Sequence, residues 1–248
     1  MTSDSKLPPR PSVAVRLHDW RHRYREAGLS VILVLQATII FVVSPLAATG
    51  VFSAEMVEAL RFSLAAVAIL VVNRRRWVGP VVSATFVISL VCTLSLRNGF
   101  ASQAVYVANI LVTIAFDVAV AFTVAHAAFD AGRISVHRIM GAVILYLYIG
   151  LIFSGLYRLG VLYLHPNFKG LPEQSRGALS SLLYFSLSTL TTSGYGDIVP
   201  VHPFVRSLAN LEGVIGQLYP ATFLARLVTL NGAEADPRPV RRDPPEGE

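Results

Sequence analysis

Thr191-Thr192-Ser193-Gly194-Tyr195-Gly196-Asp197 is the stretch on which the reading of this chain turns. It ends a run from Ala178 to Thr191, 14 residues that are almost all apolar or hydroxyl-bearing. Such a run is too short to cross a hydrocarbon core of about 30 Å, which takes roughly 20 helical residues. A segment of this length suits a helix that enters a membrane and returns on the same side. Irregular backbone at that depth is tolerated only where protein buries it or it lines a water-filled cavity. A dehydrated cation needs oxygens at close range from several directions. Extended backbone supplies them when its carbonyls point one way, and glycine reaches the positive φ this requires at little cost. Gly194 and Gly196 alternate with Ser193 and Tyr195. The carbonyls of Thr192, Ser193, Gly194 and Tyr195, with the Thr192 hydroxyl, then form stacked oxygen rings. The competing reading is an ordinary turn, since Gly-Asp pairs are common there. The short apolar helix before it and the spans on either side favour the ion site.

Working outward, the chain is built for lipid. Of 248 residues, 54% are hydrophobic and only 15% charged. A soluble domain carries about 25% charged residues. Six apolar stretches are long enough to span: 29–48, 54–72, 77–96, 101–125, 139–164 and 205–227. The first is expected to be a span rather than a cleaved signal, because Leu46 spoils the small-residue site near Ala48. The expected fold class is an all-α membrane protein. It has six transmembrane helices, with one re-entrant pore helix and a selectivity filter between the fifth and sixth. Four parts follow: a basic N-terminal segment (1–28), a four-helix module (29–134), a pore module (135–230) and a short tail (231–248).

Charge placement sets the orientation. The net charge is +6. Fifteen of the 21 Lys and Arg residues fall on the side that holds both termini, and five on the other. The bias of basic residues toward the inner side puts both termini in the cytoplasm of a plasma (inner) membrane, and the re-entrant loop at the outer face. The surplus is thus no nucleic-acid footprint. The Arg74-Arg75-Arg76 run is expected to serve this topology and to meet anionic lipid headgroups. Cys92 is the lone cysteine, which excludes an intrachain disulfide framework.

The segment Thr192 to Gly196 resembles the selectivity filter of potassium channels, a filter of backbone carbonyls. The resemblance covers 138–230: an outer helix, a pore helix (179–191), the filter and an inner helix. The family usually has Thr-Val-Gly-Tyr-Gly, and here Ser193 stands for the Val, so the packing behind the filter is more polar. The resemblance implies K+ held by Thr192, Ser193, Gly194 and Tyr195, with no cofactor beyond the permeant ion. Asp197 follows the filter as the family pattern requires, and accepts hydrogen bonds behind it. Relatives commonly offer indole N–H groups to the filter tyrosine. This chain has Tyr184 and Phe185 there, which leaves Tyr184 as the possible partner. Ser188 stands where some relatives have a carboxylate. Thr191 closes the pore helix, whose negative dipole end aims at the pore centre. One chain holds one filter segment and a ring needs four, so the partners are three further copies and membrane lipid.

On the last span Gly213, Gln217, Pro220 and Leu224 share one helical face. Gly216 matches the position of the family's hinge glycine. Gln217, Pro220 and Leu224 are expected to face the cavity, with Pro220 kinking the helix near Gly216. Hinge and close packing are equal readings of Gly216. Glu212 lies inside a span and needs a partner or water. It either bonds to pore-helix hydroxyls such as Ser186 or Ser188, or it draws cations into the cavity.

The first four spans lack a voltage sensor, since no Lys or Arg occurs from 98 to 132. Arg61 is expected to pair with Glu58 or Asp117 as a structural ion pair. His126 reads as an interface histidine and His202 as a solvated one. The tail is too short for a regulatory ligand domain. The function expected is passive potassium conduction without voltage gating. A weakly selective monovalent cation channel is the alternative, and a secondary transporter is disfavoured by the single re-entrant loop. No nucleotide loop, metal-ligand cluster or nucleophile–base pair suggests an enzyme.

Overall fold

The computed structural model describes residues 31–51, 56, 60, 63–64, 78–97, 102–129, 136–164, 166–172 and 175–235. Most of the expected second span (54–72), with Glu58 and Arg61, lies outside the described residues, as do segment 1–28, Arg74 to Arg76 and residues 236–248.

Helix α1 (Val31–Ala48) contains Pro45. Proline lacks an N–H and its ring crowds the carbonyl four residues back. The helix responds by widening into a π turn over Ile39–Val43, where the Ser44 N–H reaches the Ile39 carbonyl. Two crossed bonds close its end: the Val51 N–H donates to Leu46 O at 3.2 Å and the Gly50 N–H to Ala47 O at 3.1 Å. This cap requires a left-handed residue, and Gly50 supplies it with φ +82°.

Helix α2 (Val78–Arg97) precedes α3 (Gln103–Phe129). Ser102 caps α3 by accepting the Val105 N–H on its hydroxyl at 3.2 Å. Asn109 on α3 donates to the Thr93 hydroxyl of α2 at 3.1 Å. Helix α4 (Val136–Tyr163) packs against α3 on one flank. On the other it meets α5 (Ser175–Leu190) and α6 (Pro203–Ala235). The last turns of α1, Ser44–Ala48, also rest on α5. Between α4 and α6 lies a two-stranded antiparallel ribbon, β1 (Phe168–Lys169) and β2 (Val199–Pro200), which pairs Phe168 with Pro200.

Three of these helices are long and apolar enough to cross a membrane among the described residues: α1, Gln103–His126 of α3 and Ile139–Tyr163 of α4. The apolar part of α2, Ser83–Ser95, is shorter, as is Ala178–Leu190 of α5. Helix α6 runs 33 residues. Arg206, Asn210, Glu212 and Gln217 interrupt its apolar character.

The core has two parts. Ile32, Ile40, Phe116, Val120, Ile144 and Tyr148 join α1, α3 and α4. Phe153, Tyr157, Leu182, Phe185, Ile198 and Val205 join α4, α5 and α6 directly behind the 191–197 segment. Full burial of each large apolar side chain stabilises by roughly 1.5–3 kcal/mol. This second cluster therefore fixes α5, and with it the segment that follows α5.

Candidate functional site

The site begins where α5 stops. The Ser193 N–H donates to Ser188 O at 2.9 Å and the Thr192 N–H to Thr189 O at 2.9 Å. This is the same crossed cap that ends α1. Here, however, the left-handed place is filled by Thr192, with φ +59°. A β-branched residue at positive φ is an outlier, held only when its surroundings over-determine it. The surroundings do so. The Gly194 N–H also returns to Ser188 O at 3.2 Å. The Thr191 hydroxyl bonds to Leu187 O at 2.7 Å and lies 3.0 Å from the Ser193 hydroxyl.

The backbone then alternates in hand. Thr192, Gly194 and Gly196 have positive φ of 59°, 54° and 78°, whereas Ser193 and Tyr195 do not. Alternating hand turns successive carbonyls toward one side, where L-residues of one hand would turn them away in sequence. The whole stretch 191–197 is exposed on the chain, Tyr195 by 72%.

Behind it, Tyr195 stacks on Tyr184, with ring centroids 5.9 Å apart and planes at 11°. Desolvation first, then the neighbouring Asp197 carboxylate, raises the Tyr184 hydroxyl above its ordinary pKa. Asp197 also accepts the Ile198 N–H at 3.0 Å on its side chain. A cavity of about 690 Å³ lies behind this face, between α1, α4 and α5. Phe41, Tyr146, Ser181, Ser188 and Ser193 are among the residues that line it.

The far end of the segment is held by the ribbon. Asn167 O accepts the Val201 N–H at 2.8 Å. Asn167 itself donates to Val161 O of α4 at 3.1 Å. His202 does not stand free in solvent: its Nδ1 accepts the Phe204 N–H at 3.2 Å, at the start of α6.

Helix α6 passes below the cap. A Cβ on Gly216 would collide with the Leu190 carbonyl oxygen at the end of α5. Gly216 is buried and packs closely against α5. Tyr146 of α4 donates to that same Leu190 carbonyl at 2.9 Å. Tyr219 of α6 donates to Ala142 O of α4 at 2.7 Å. Gln217, Pro220 and Leu224 are exposed on one face. Gln217 lines an open groove with Thr189, Thr192, Gly194, Asn210 and Gly213. The helix continues unbroken through Pro220.

Glu212 does not belong with them. It is 0% exposed, and it contacts the Ser186 hydroxyl of α5 and the Tyr157 hydroxyl of α4, each at 2.5 Å. Its expected alternative place in the cavity is therefore corrected. Its helical phase differs from that of Gln217 and turns it into the packed side of α6. Asp117 is also buried, within α3. His126 is exposed there and lies edge-on to Phe122 at 4.6 Å. Sequence reasoning missed Tyr146, Tyr157 and Tyr219. A tyrosine hydroxyl inside an apolar helix needs a partner when it is removed from water, and that signal was present in each. No cluster of metal-ligating side chains occurs among the described residues.

Residues 141–231 match a family model described as an ion channel. Over that region the chain is similar to the ion channel family. No curated protein and no solved structure matches the chain. The matched region runs from α4 through α6 and so contains the 191–197 segment and the helices on which it rests. With the apolar helices, the match points to a membrane protein with a role in ion transport.

Proposed function

We propose that four copies of this chain form a passive, potassium-selective channel around one axial pore. The reading rests on one observation above all, the alternating backbone hand at Thr192, Gly194 and Gly196 directly after a short apolar helix. Four such segments around an axis supply carbonyl rings from Thr192, Ser193, Gly194 and Tyr195 that replace the water of K+. Asp197, Tyr184, Ser188 and Thr191 support them from behind. The C-terminal end of α5 directs its dipole toward the ion path. Gln217, Pro220 and Leu224 face the cavity below. Residues 135–230 are the pore module in this reading, and 29–134 a module without sensor arginines. The protein sits in the plasma membrane with both termini cytoplasmic, following the basic-residue bias.

Purified protein in liposomes tests this. A potassium gradient drives tracer uptake, a sodium gradient does not, and barium blocks. Flux that survives disruption of Thr192 and Gly194 sinks the pore assignment. A second reading, a weakly selective cation channel, is favoured by one feature. Ser193 points a hydroxyl at Thr191, where the family has an apolar side chain. Equal potassium and sodium flux decides for it.

A further inference from the structure

Glu212 of α6 is in contact with α4 and α5, and the hydrogens around it can be counted. Three short oxygen–oxygen contacts form a line. Tyr157 Oη lies 2.5 Å from Glu212 Oε2. Glu212 Oε1 lies 2.5 Å from Ser186 Oγ. Ser186 Oγ lies 2.7 Å from the Gly150 carbonyl oxygen of α4. Each such contact requires one hydrogen between its oxygens. The Gly150 carbonyl only accepts, and each hydroxyl carries a single hydrogen. Tyr157 and Ser186 therefore supply two hydrogens for three contacts. With an ionised carboxylate, one pair of oxygens would face each other bare. Glu212 is 0% exposed, Tyr157 and Ser186 likewise, and no cation pairs with Glu212 among the described residues. An ionised carboxylate buried without a counter-charge is costly, and a proton removes that cost.

We infer that Glu212 is a neutral carboxylic acid that links α4, α5 and α6 through a directed line of hydrogen bonds. Tyr157 donates to Glu212 Oε2, Glu212 Oε1–H donates to Ser186, and Ser186 donates to Gly150. The line fixes α5 from inside, four residues before the Leu190 end that carries the cap. Glu212 is thus a positioning residue for the 192–196 segment: it touches no ion and acts through Ser186.

Substitutions separate this from a role for negative charge. Glu212→Gln keeps all three hydrogens, because its amide donates to Ser186 while its carbonyl accepts from Tyr157. We expect its potassium flux and its potassium-over-sodium ratio to match the parent. Glu212→Asp keeps an acid but is one methylene short of both partners. Leaving buried partners unsatisfied costs enough to lower flux or selectivity by about tenfold. Parent-like flux and selectivity in Glu212→Asp would show that the bridge is not needed for positioning. A Glu212→Gln variant as damaged as Glu212→Asp would overturn the neutral acid. The flux readout rests on the potassium-channel reading. A second measurement does not: the infrared difference spectrum between the parent and Glu212→Gln in detergent. A protonated-carboxyl C=O band that shifts in heavy water is expected. A carboxylate band pair in its place overturns the proposal, even for protein that conducts nothing.

Discussion

Thr192 occupies a position where this kind of helix cap ordinarily carries glycine, as Gly50 does at the end of α1. Holding a β-branched residue there costs on the order of 1–3 kcal/mol. Thr192→Gly should therefore raise the thermal unfolding midpoint of the detergent-solubilised protein. The same change deletes the hydroxyl that the proposed lowest ion site uses, so potassium flux should fall. A variant with a raised midpoint and undiminished flux would show that the threonine is there for neither reason. Ser193 shows how far one residue can be read from sequence. Its hydroxyl was expected to make the packing behind the filter more polar, and it lies 3.0 Å from the Thr191 hydroxyl. Glu212 was legible only in part. A carboxylate in an apolar span announces that it needs a partner. Tyr157, 55 residues earlier, leaves no local sign that it is that partner.

At the scale of elements, α5 and α6 meet where Gly216 lies against the Leu190 carbonyl. Gly216→Ala forces these helices apart, and overpacking of this kind typically costs about 1–3 kcal/mol. The expected result is a lower unfolding midpoint together with lost flux. Altered open times at an unchanged midpoint would speak for a hinge instead. Element boundaries were legible to within a few residues where composition changes abruptly. The pore helix was expected over 179–191, and a helix runs Ser175–Leu190; the fifth span was expected over 139–164, and a helix runs Val136–Tyr163. The sixth was expected over 205–227 and runs Pro203–Ala235. Its excess length at the C-terminal end carries polar residues that an apolar criterion passes over. The β1–β2 ribbon left no sequence signal, since two residues in each strand are too few for a period-two pattern.

At the scale of the whole molecule, the face around the 192–196 segment is exposed on one chain. Tyr195, Phe204, Leu211, Val214 and Leu218 are all more than half exposed. The proposed four-chain assembly covers the filter, and cross-linking in native membranes should stop at four copies. Helix α3 carries no Lys or Arg over its whole length. Moving one charge through 100 mV releases about 2.3 kcal/mol, so a span without gating charges leaves opening nearly flat with voltage. Bilayer recordings should show no steep activation curve. A steep one would mean that charge moves elsewhere in the chain. The ribbon and the Thr192 cap also have a joint consequence. Between Ser193 and Val199 the chain has only a few residues to distribute, and both ends are tied to α4-supported structure. A segment so short and so tethered has little conformational entropy left to lose. The spacing of its carbonyls is then dictated by its two anchorages rather than by whichever ion arrives. In the proposed channel, a smaller ion would meet a frame that does not shrink around it.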